Sequence, residues 1–331
     1  MSDKLLEPLR ARPLLADRLE SALGDLDTSA EDALDELDRT PAHDSQDALL
    51  SLLLVHDLWL SPVERLGGRE RLQGHPAVAA LKWRLEHEFV AGLDARVEHQ
   101  MSRIDVASPV DAMRRVAATD LIPPVYDWLR QEASWCELVE FLAFEGGPDA
   151  GFDDYVALTQ VGLSGGPKVA LAANYWDEMG RGTLSDVHTV LHDGLVGATN
   201  IRAVPREELT ISALERAAIG GVLATNRWLQ PEALGAFGLI EMQAGPRCRS
   251  IVGALRRLDA PAGAFPFYEE HAIADPRHGK DWLDSVIAPL GVERPEWSER
   301  MIRGAVWRSE VNRQFFEDAH RSLVGSEAVA A

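Results

Sequence analysis

The sequence predicts an all-α protein. Apolar residues recur at intervals of three and four in nearly every periodic segment. Alternating β-branched runs joined by hairpin turns are missing. Gly and Pro clusters cut the chain into helix-length pieces: Gly146-Gly147-Pro148, Gly165-Gly166-Pro167, Gly180 to Gly182, and Pro261 to Gly263.

Residues 1–120 read as an N-terminal helical extension. Within it "LDELDRTPAHDSQ" is polar and reads as a loop. A helix runs on from His75. Pro76 suits a first helical position, and Val78, Leu81, Leu85, Phe89 and Leu93 form the apolar stripe. Its "RLEHEF" and "RVEHQ" mix Glu and His at adjacent positions, which diverge by about 100° on a helix, so both read as solvated faces. The stretch "DLIPPVYDW" at 120–128 is a Pro-rich break, and the main core, 121–331, follows it. Helices are expected there at roughly 126–145, 152–162, 167–179, 183–199, 208–228, 231–258, 264–290 and 295–323.

Composition narrows the function classes. The 331 residues are 46% hydrophobic and 26% charged, with a formal net charge of −20. A phosphate backbone is repelled by that field, so nucleic acid is not an expected partner, nor is an anionic membrane surface. No apolar run approaches a membrane span, and "MSDKLLEPLRARPLL" lacks the apolar core of a signal peptide, so the chain reads as cytoplasmic. Cys136 and Cys248 form neither a disulfide framework nor a Cys-based metal site. A metal here is held by His, Asp and Glu.

Ligand-type side chains stand where the pattern calls for Leu. In "WCELVEFLAFEGG", Glu137 and Glu140 read as solvent-facing, but Glu145 lines up with Leu138, Phe141 and Leu142. Glu178 follows Leu171, Asn174 and Tyr175; His188 and His192 lie with Leu184, Leu191 and Leu195; Glu241 continues Leu234, Phe237 and Gly238. In "EEHAIADPRHGKDW", on an ideal helix, Asp275 and His278 stand about 40° and about −20° from His271. Burying a lone carboxylate costs several kcal/mol as an order of magnitude. A salt bridge or a helix-end carboxylate explains any one such position. Three Glu, one Asp and at least two His on five helices, with few Lys or Arg on those faces, favour mixed ligation of a non-haem di-iron or di-manganese pair. The Glu-x-x-His pairs of ferritin-like sites are absent except at Glu317 and His320, and no zincin motif occurs.

The order Glu178, nine residues, His188, then Glu241, then His271-x3-Asp275-x2-His278 resembles the haem-oxygenase-like di-iron oxidases and oxygenases, the iron-containing redox enzyme family. "NYWDEMGRG…H" resembles the first ligand region and "EEHAIADPRH" the last, within a similarity spanning roughly residues 130–320. The resemblance implies a haem-oxygenase-like helical bundle. It implies Glu178, His188, Glu241, His271, Asp275 and His278 as ligands to two Fe. Glu145 is the candidate for a further carboxylate and Asp153 the runner-up. His192 is an alternative to His188, and Asp177 reads as an outer partner or a surface charge. Pro276 disfavours helix at Asp275, so a kink or broken turn is expected there, and a similar bend at Pro246.

The activity implied is O2-dependent oxidation of a small-molecule substrate: N-oxygenation of the amine of an amino acid or related molecule, in natural-product biosynthesis. Oxidative C–C cleavage or desaturation of an amino or fatty acid by the same site is the alternative. An external electron donor is compatible with either, and a homodimer is the default oligomer. Arg247 or Arg249 could meet a substrate carboxylate, although a solvated basic turn is the simpler reading. Two other classes stay open: a metal-free hydrolase using Cys136 or Cys248, and a non-catalytic binding protein on the same fold.

Overall fold

A computed structural model describes residues 14–24, 34, 36, 37, 39–145 and 151–330, with side chains as far as residue 324. The Gly146-Gly147-Pro148 turn and most of the N-terminal stretch quoted above lie outside the described residues. Every regular element among the described residues is helical, and no helix there is long and apolar enough to cross a membrane.

The chain divides into two compact units, Met1–Gly92 and Leu93–Ala331. Residues 93–120, grouped with the extension on sequence grounds, thus fall in the second unit. In the first unit, α1 (Leu15–Gly24) packs on α2 (Ser45–Leu60). Asp47 ties them: its carboxylate accepts from the Leu15 and Ala16 backbone amides at 3.0 and 2.8 Å, supplying acceptors that the first turn of α1 lacks. α3 (Pro76–Met101) starts at the expected proline and buries Val78, Leu81 and Leu85. Glu86 in "RLEHEF" is not on a solvated face. It is buried, with His56 Nε2 at 2.8 Å and Lys82 Nζ at 2.7 Å on the same oxygen.

The second unit is built around α11 (Gln230–Arg257), which packs along α12 (Pro266–Trp282) on one side and α14 (Glu296–Ala330) on another. Six further helices surround them: α4 (Pro109–Thr119), α5 (Pro124–Gln131), α6 (Trp135–Glu145), α7 (Phe152–Thr159), α8 (Gly165–Glu178) and α9 (His188–Thr199), followed by α10 (Ile211–Ala224). A short α13 (Ala288–Glu293) precedes α14. Tyr126, Phe141 and Phe316 meet edge-on or stacked in the core between α5, α6 and α14.

Three departures from the expected boundaries have local causes. The helix expected over 126–145 is two helices, because Ser134 starts a new one: Glu137 accepts from its amide and hydroxyl at 2.7 Å, and Ser134 Oγ caps the Glu137 amide. The helix expected from 183 begins at His188, after tight turns at Gly180–Gly182 and Leu184–Asp186. α12 is not broken at Pro276, nor α11 at Pro246. A proline strips its i−4 carbonyl of a partner, here Ala272, and Arg249 of α11 donates to that oxygen at 3.1 Å. Gly245 makes room for the ring: a Cβ there would sit 2.8 Å from Pro276 Cδ. The irregular turn comes later, as a π-helical turn at Leu283–Ile287.

Arg247 is not a solvated turn residue. Buried within α11, it donates to the Asp120 and Leu121 carbonyls and to Gln243, pinning the Pro-rich 120–123 segment.

Candidate metal centre

Two groups of potential ligands form in the second unit, and they share a residue. Glu178, His188 and His271 offer ligand atoms within 4.8 Å of one another, and so do Glu178, Glu241 and His278. Glu178 closes α8. The chain then turns back through Gly180 (φ +58°), where a Cβ would lie 2.5 Å from the Asp186 carbonyl carbon, so glycine is required for the turn that returns His188 to Glu178. His188 Nδ1 ends 2.6 Å from Glu178 Oε2. Glu241 lies in mid-α11, and α12 brings His271, Asp275 and His278 to it on one face. His278 Nδ1 is 3.4 Å from Glu241 Oε2 and 3.9 Å from Asp275 Oδ1.

Neighbouring groups hold these side chains in ligand-ready states. His271 Nδ1 donates to the Phe267 carbonyl at 2.7 Å, leaving Nε2 as the lone-pair atom. Asp177 Oδ2 accepts from His278 Nε2 at 2.9 Å, leaving Nδ1 towards Glu241. Asp177 is thus the outer partner of a candidate ligand, and it also meets Arg277 and Arg181. Asn174 Nδ2 donates to Glu241 Oε1 at 2.7 Å.

The electrostatics are those of a site missing positive charge. Burial, then Glu241 and Glu178, push the Asp275 carboxyl well above its usual range. Burial opposes charge on His278, but Glu241 and Asp177 outweigh it and take the imidazole up to about 9. Burial and the adjacent His188 bring His271 down to about 4. His188 Nδ1 and His278 Nδ1 face the carboxylates of Glu178 and Glu241, while Asp275 Oδ2 and His188 Nε2 are buried without a hydrogen-bond partner among the described residues. Buried polar atoms normally have one. A divalent cation would satisfy all of them and relieve the crowding of carboxylates. The oxygen and imidazole donors, without thiolate, suit iron.

Glu178, His188, Glu241, His271 and Asp275, but not His278, line a cavity of about 130 Å³, together with Glu145, Asp153, His192, Arg216, Cys248 and apolar Phe152, Ile240, Ala244 and Phe267. Glu145 reaches the cavity but joins neither group. Its two oxygens accept from Tyr126 at 2.6 Å and Tyr268 at 3.3 Å. Asp153, raised by burial and then by Asp154, and His192, lowered by burial and edge-on to Phe267, also line the wall outside both groups. Sequence reasoning passed over Arg216 and Tyr126. The signal for Arg216 was the charged pair Glu215-Arg216 in the otherwise largely apolar "ISALERAAIGGVLA". Burial, then Asp275 and Glu145, hold the Cys248 thiol well above its ordinary value, which removes its main qualification as a nucleophile.

A comparison with curated proteins gives no match. The family model for iron-containing redox enzymes matches residues 140–313, which include every member of both ligand groups and more than half of the chain. An oxidoreductase on a haem-oxygenase-like all-α bundle is what that match describes, and the chain belongs to the iron-containing redox enzyme family.

Proposed function

We propose that the protein is an O2-dependent non-haem di-iron oxygenase that oxidises the amine of an amino acid or a related small molecule. One observation carries the reading: a single buried carboxylate, Glu178, belongs to two ligand groups at once. A carboxylate has two oxygens and can serve two ions together, which a mononuclear site does not need.

In this reading Glu178, His188 and His271 would hold one ion and Glu178, Glu241 and His278 the other, with Asp275 close to His278. A pair of ferrous ions, when bound, supplies electrons to dioxygen and open coordination positions. The chain supplies the rest. The Phe267 carbonyl and Asp177 fix which nitrogen His271 and His278 present. Asn174 keeps Glu241 turned towards His278. Phe152, Ile240, Ala244 and Phe267 form an apolar wall that limits water where oxidation occurs. An amine is favoured as the reacting group because the wall carries carboxylates beyond those in the ligand groups, Glu145 and Asp153, which attract a cationic nitrogen.

Anaerobic titration of the full chain with Fe(II) tests the reading. Saturation at two ions per chain is expected, with both lost in Glu178→Ala. Dioxygen uptake by the loaded protein should then rise with an amino acid or amine, giving an N-oxygenated product. Saturation at one ion, or a Glu178→Ala variant that still binds two, rules out the shared-carboxylate centre.

A further inference from the structure

We propose that His192 is the proton acceptor for the substrate's amine: it takes a proton from the bound nitrogen and passes it to solvent, leaving the lone pair that oxidation needs. The inference rests on the amine-oxidising reading above and adds a residue to it.

The cavity itself creates the need. Its wall is rich in carboxylates, which favour an amine in its ammonium form. An ammonium has no lone pair to offer an oxidant, so a proton must leave before the nitrogen reacts. Most polar groups on the wall are already engaged. Glu145 accepts from Tyr126 and Tyr268, Arg216 donates to the Glu145 carbonyl, and Asp153 accepts from backbone amides at the start of α7. Burial keeps the Cys248 thiol protonated. Glu178, His188, Glu241 and His271 belong to the ligand groups, and Asp275 faces His278.

His192 differs from all of these. It lines the cavity and joins neither ligand group, and its ring nitrogens have no hydrogen bond or ion pair among the described residues. Its ring meets Phe267 edge-on at 5.2 Å, and the same phenyl ring meets His271 at 4.4 Å. One aromatic ring thus separates His192 from a ligand group. The imidazole is half-buried, while Thr189, Val190 and Asp193 of the same helix, α9, are exposed, so it stands between cavity and solvent. Burial lowers its pKa, against the opposing pull of Asp193 and Glu145. The ring is therefore uncharged at neutral pH and does not keep a proton that it receives. Two nitrogens are what a relay requires. The imidazole takes a proton from R–NH3+, giving R–NH2 and an imidazolium, and the imidazolium then returns a proton to water. No electrons move in this step, which precedes the oxidation.

The test uses the full-length protein with pentylamine as the probe. In iron-free protein, isotope-labelled at the histidine ring nitrogens, pentylamine should shift the magnetic-resonance signals that are missing in His192→Ala. Tetramethylammonium, a cation with no N–H, should leave them in place. In the iron-loaded protein, His192→Ala should keep its iron stoichiometry and its KM for pentylamine. Its kcat for oxygen uptake should fall by about 100- to 10,000-fold, the usual contribution of a general base. Added imidazole should restore rate to this variant in proportion to the free-base form and leave the unsubstituted protein unchanged. His192→Gln, which cannot relay a proton, should match His192→Ala without imidazole. Helix content and melting temperature separate a folding defect from a lost relay. The proposal is overturned if pentylamine leaves the His192 signals unmoved or if imidazole restores nothing. It is overturned equally if His192→Ala raises KM alone or loses iron, since the residue would then be a binding group or a ligand. The two readings fail separately. Shifted His192 signals without any oxygen uptake keep the proton-accepting contact and remove the oxygenase. Oxygen uptake at full rate in His192→Ala keeps the oxygenase and removes the relay.

Discussion

Removing the carboxylate of Asp177 should weaken one metal position and spare the other. Asp177 Oδ2 lies 2.9 Å from His278 Nε2, and the imidazole is almost fully buried. With its Nε2 proton held there, His278 presents Nδ1 to Glu241. Asp177→Ala leaves the ring free to change tautomer and to turn. Loss of such an outer partner costs about 10- to 100-fold in metal affinity, or about 1.4–2.7 kcal/mol. Anaerobic competition between the protein and a coloured chelator reads the two binding steps separately. One step should weaken by that factor and the other should keep its affinity. Asp177→Asn, which retains an acceptor without the charge, should fall between. Arg277, which also meets Asp177, is more than half exposed, and Arg277→Ala should change little. Equal weakening of both steps, or an Arg277→Ala effect as large as that of Asp177→Ala, refutes the reasoning and makes Asp177 a surface ion pair.

Other outcomes follow from the same geometry. In the first unit, burial lowers the pKa of His56, and the His56 contact lowers that of Glu86 despite burial. Below pH 6.5 the unfolded His56 gains a proton that the folded one refuses. Its contribution is therefore present above 6.5 and lost as pH falls, and Glu86 adds a loss in the same direction below 4.5. Lys82, also lowered by burial, acts only towards the alkaline end. Protection factors over α2, corrected for the intrinsic pH dependence of amide exchange, should fall on acidification, and His56→Gln should flatten that dependence. Gly279→Ala should destabilise the fold by about 1–3 kcal/mol, because a Cβ there would come within 2.9 Å of Met242 Cα and 3.0 Å of Glu241 O. A melting curve checks this, and metal uptake should fall with it because Glu241 is displaced. Iodoacetamide should label exposed Cys136 alone in the folded protein and both thiols after denaturation. Ready labelling of Cys248 in the native state would revive the hydrolase reading.

What could be read from the sequence was whatever depends on spacing along one helix. His271, Asp275 and His278 share a face by arithmetic. Glu178 and Glu241 betrayed themselves by interrupting apolar stripes, and α8, α11 and α12 do bury them. Spacing is silent about contacts between distant segments. Glu145 interrupts a stripe just as Glu178 does, yet its oxygens are taken by Tyr126 and Tyr268, 19 and 123 residues away. Arg247 and Arg249 stand beside a proline and so suggested a turn. Both instead lie within α11, where one arginine pins residues 120–121 and the other satisfies the carbonyl that Pro276 of α12 abandons. Arg216 carried only the faint signal of a Glu-Arg pair in an otherwise largely apolar helix, and its place in a cavity assembled from seven helices is not legible from spacing.

The tight turns between Glu178 and His188 make the two halves of the centre mechanically unequal. Glu241 and His278 are set into long helices braced against each other along their length. His188 hangs from a link whose residues 181–186 are all open to solvent. The braced half is built before any ion arrives, whereas the other must stiffen as it is filled. Loading should therefore be ordered, with the Glu241 side first. A sample carrying a single ion per chain would be a waypoint in assembly rather than spoiled protein.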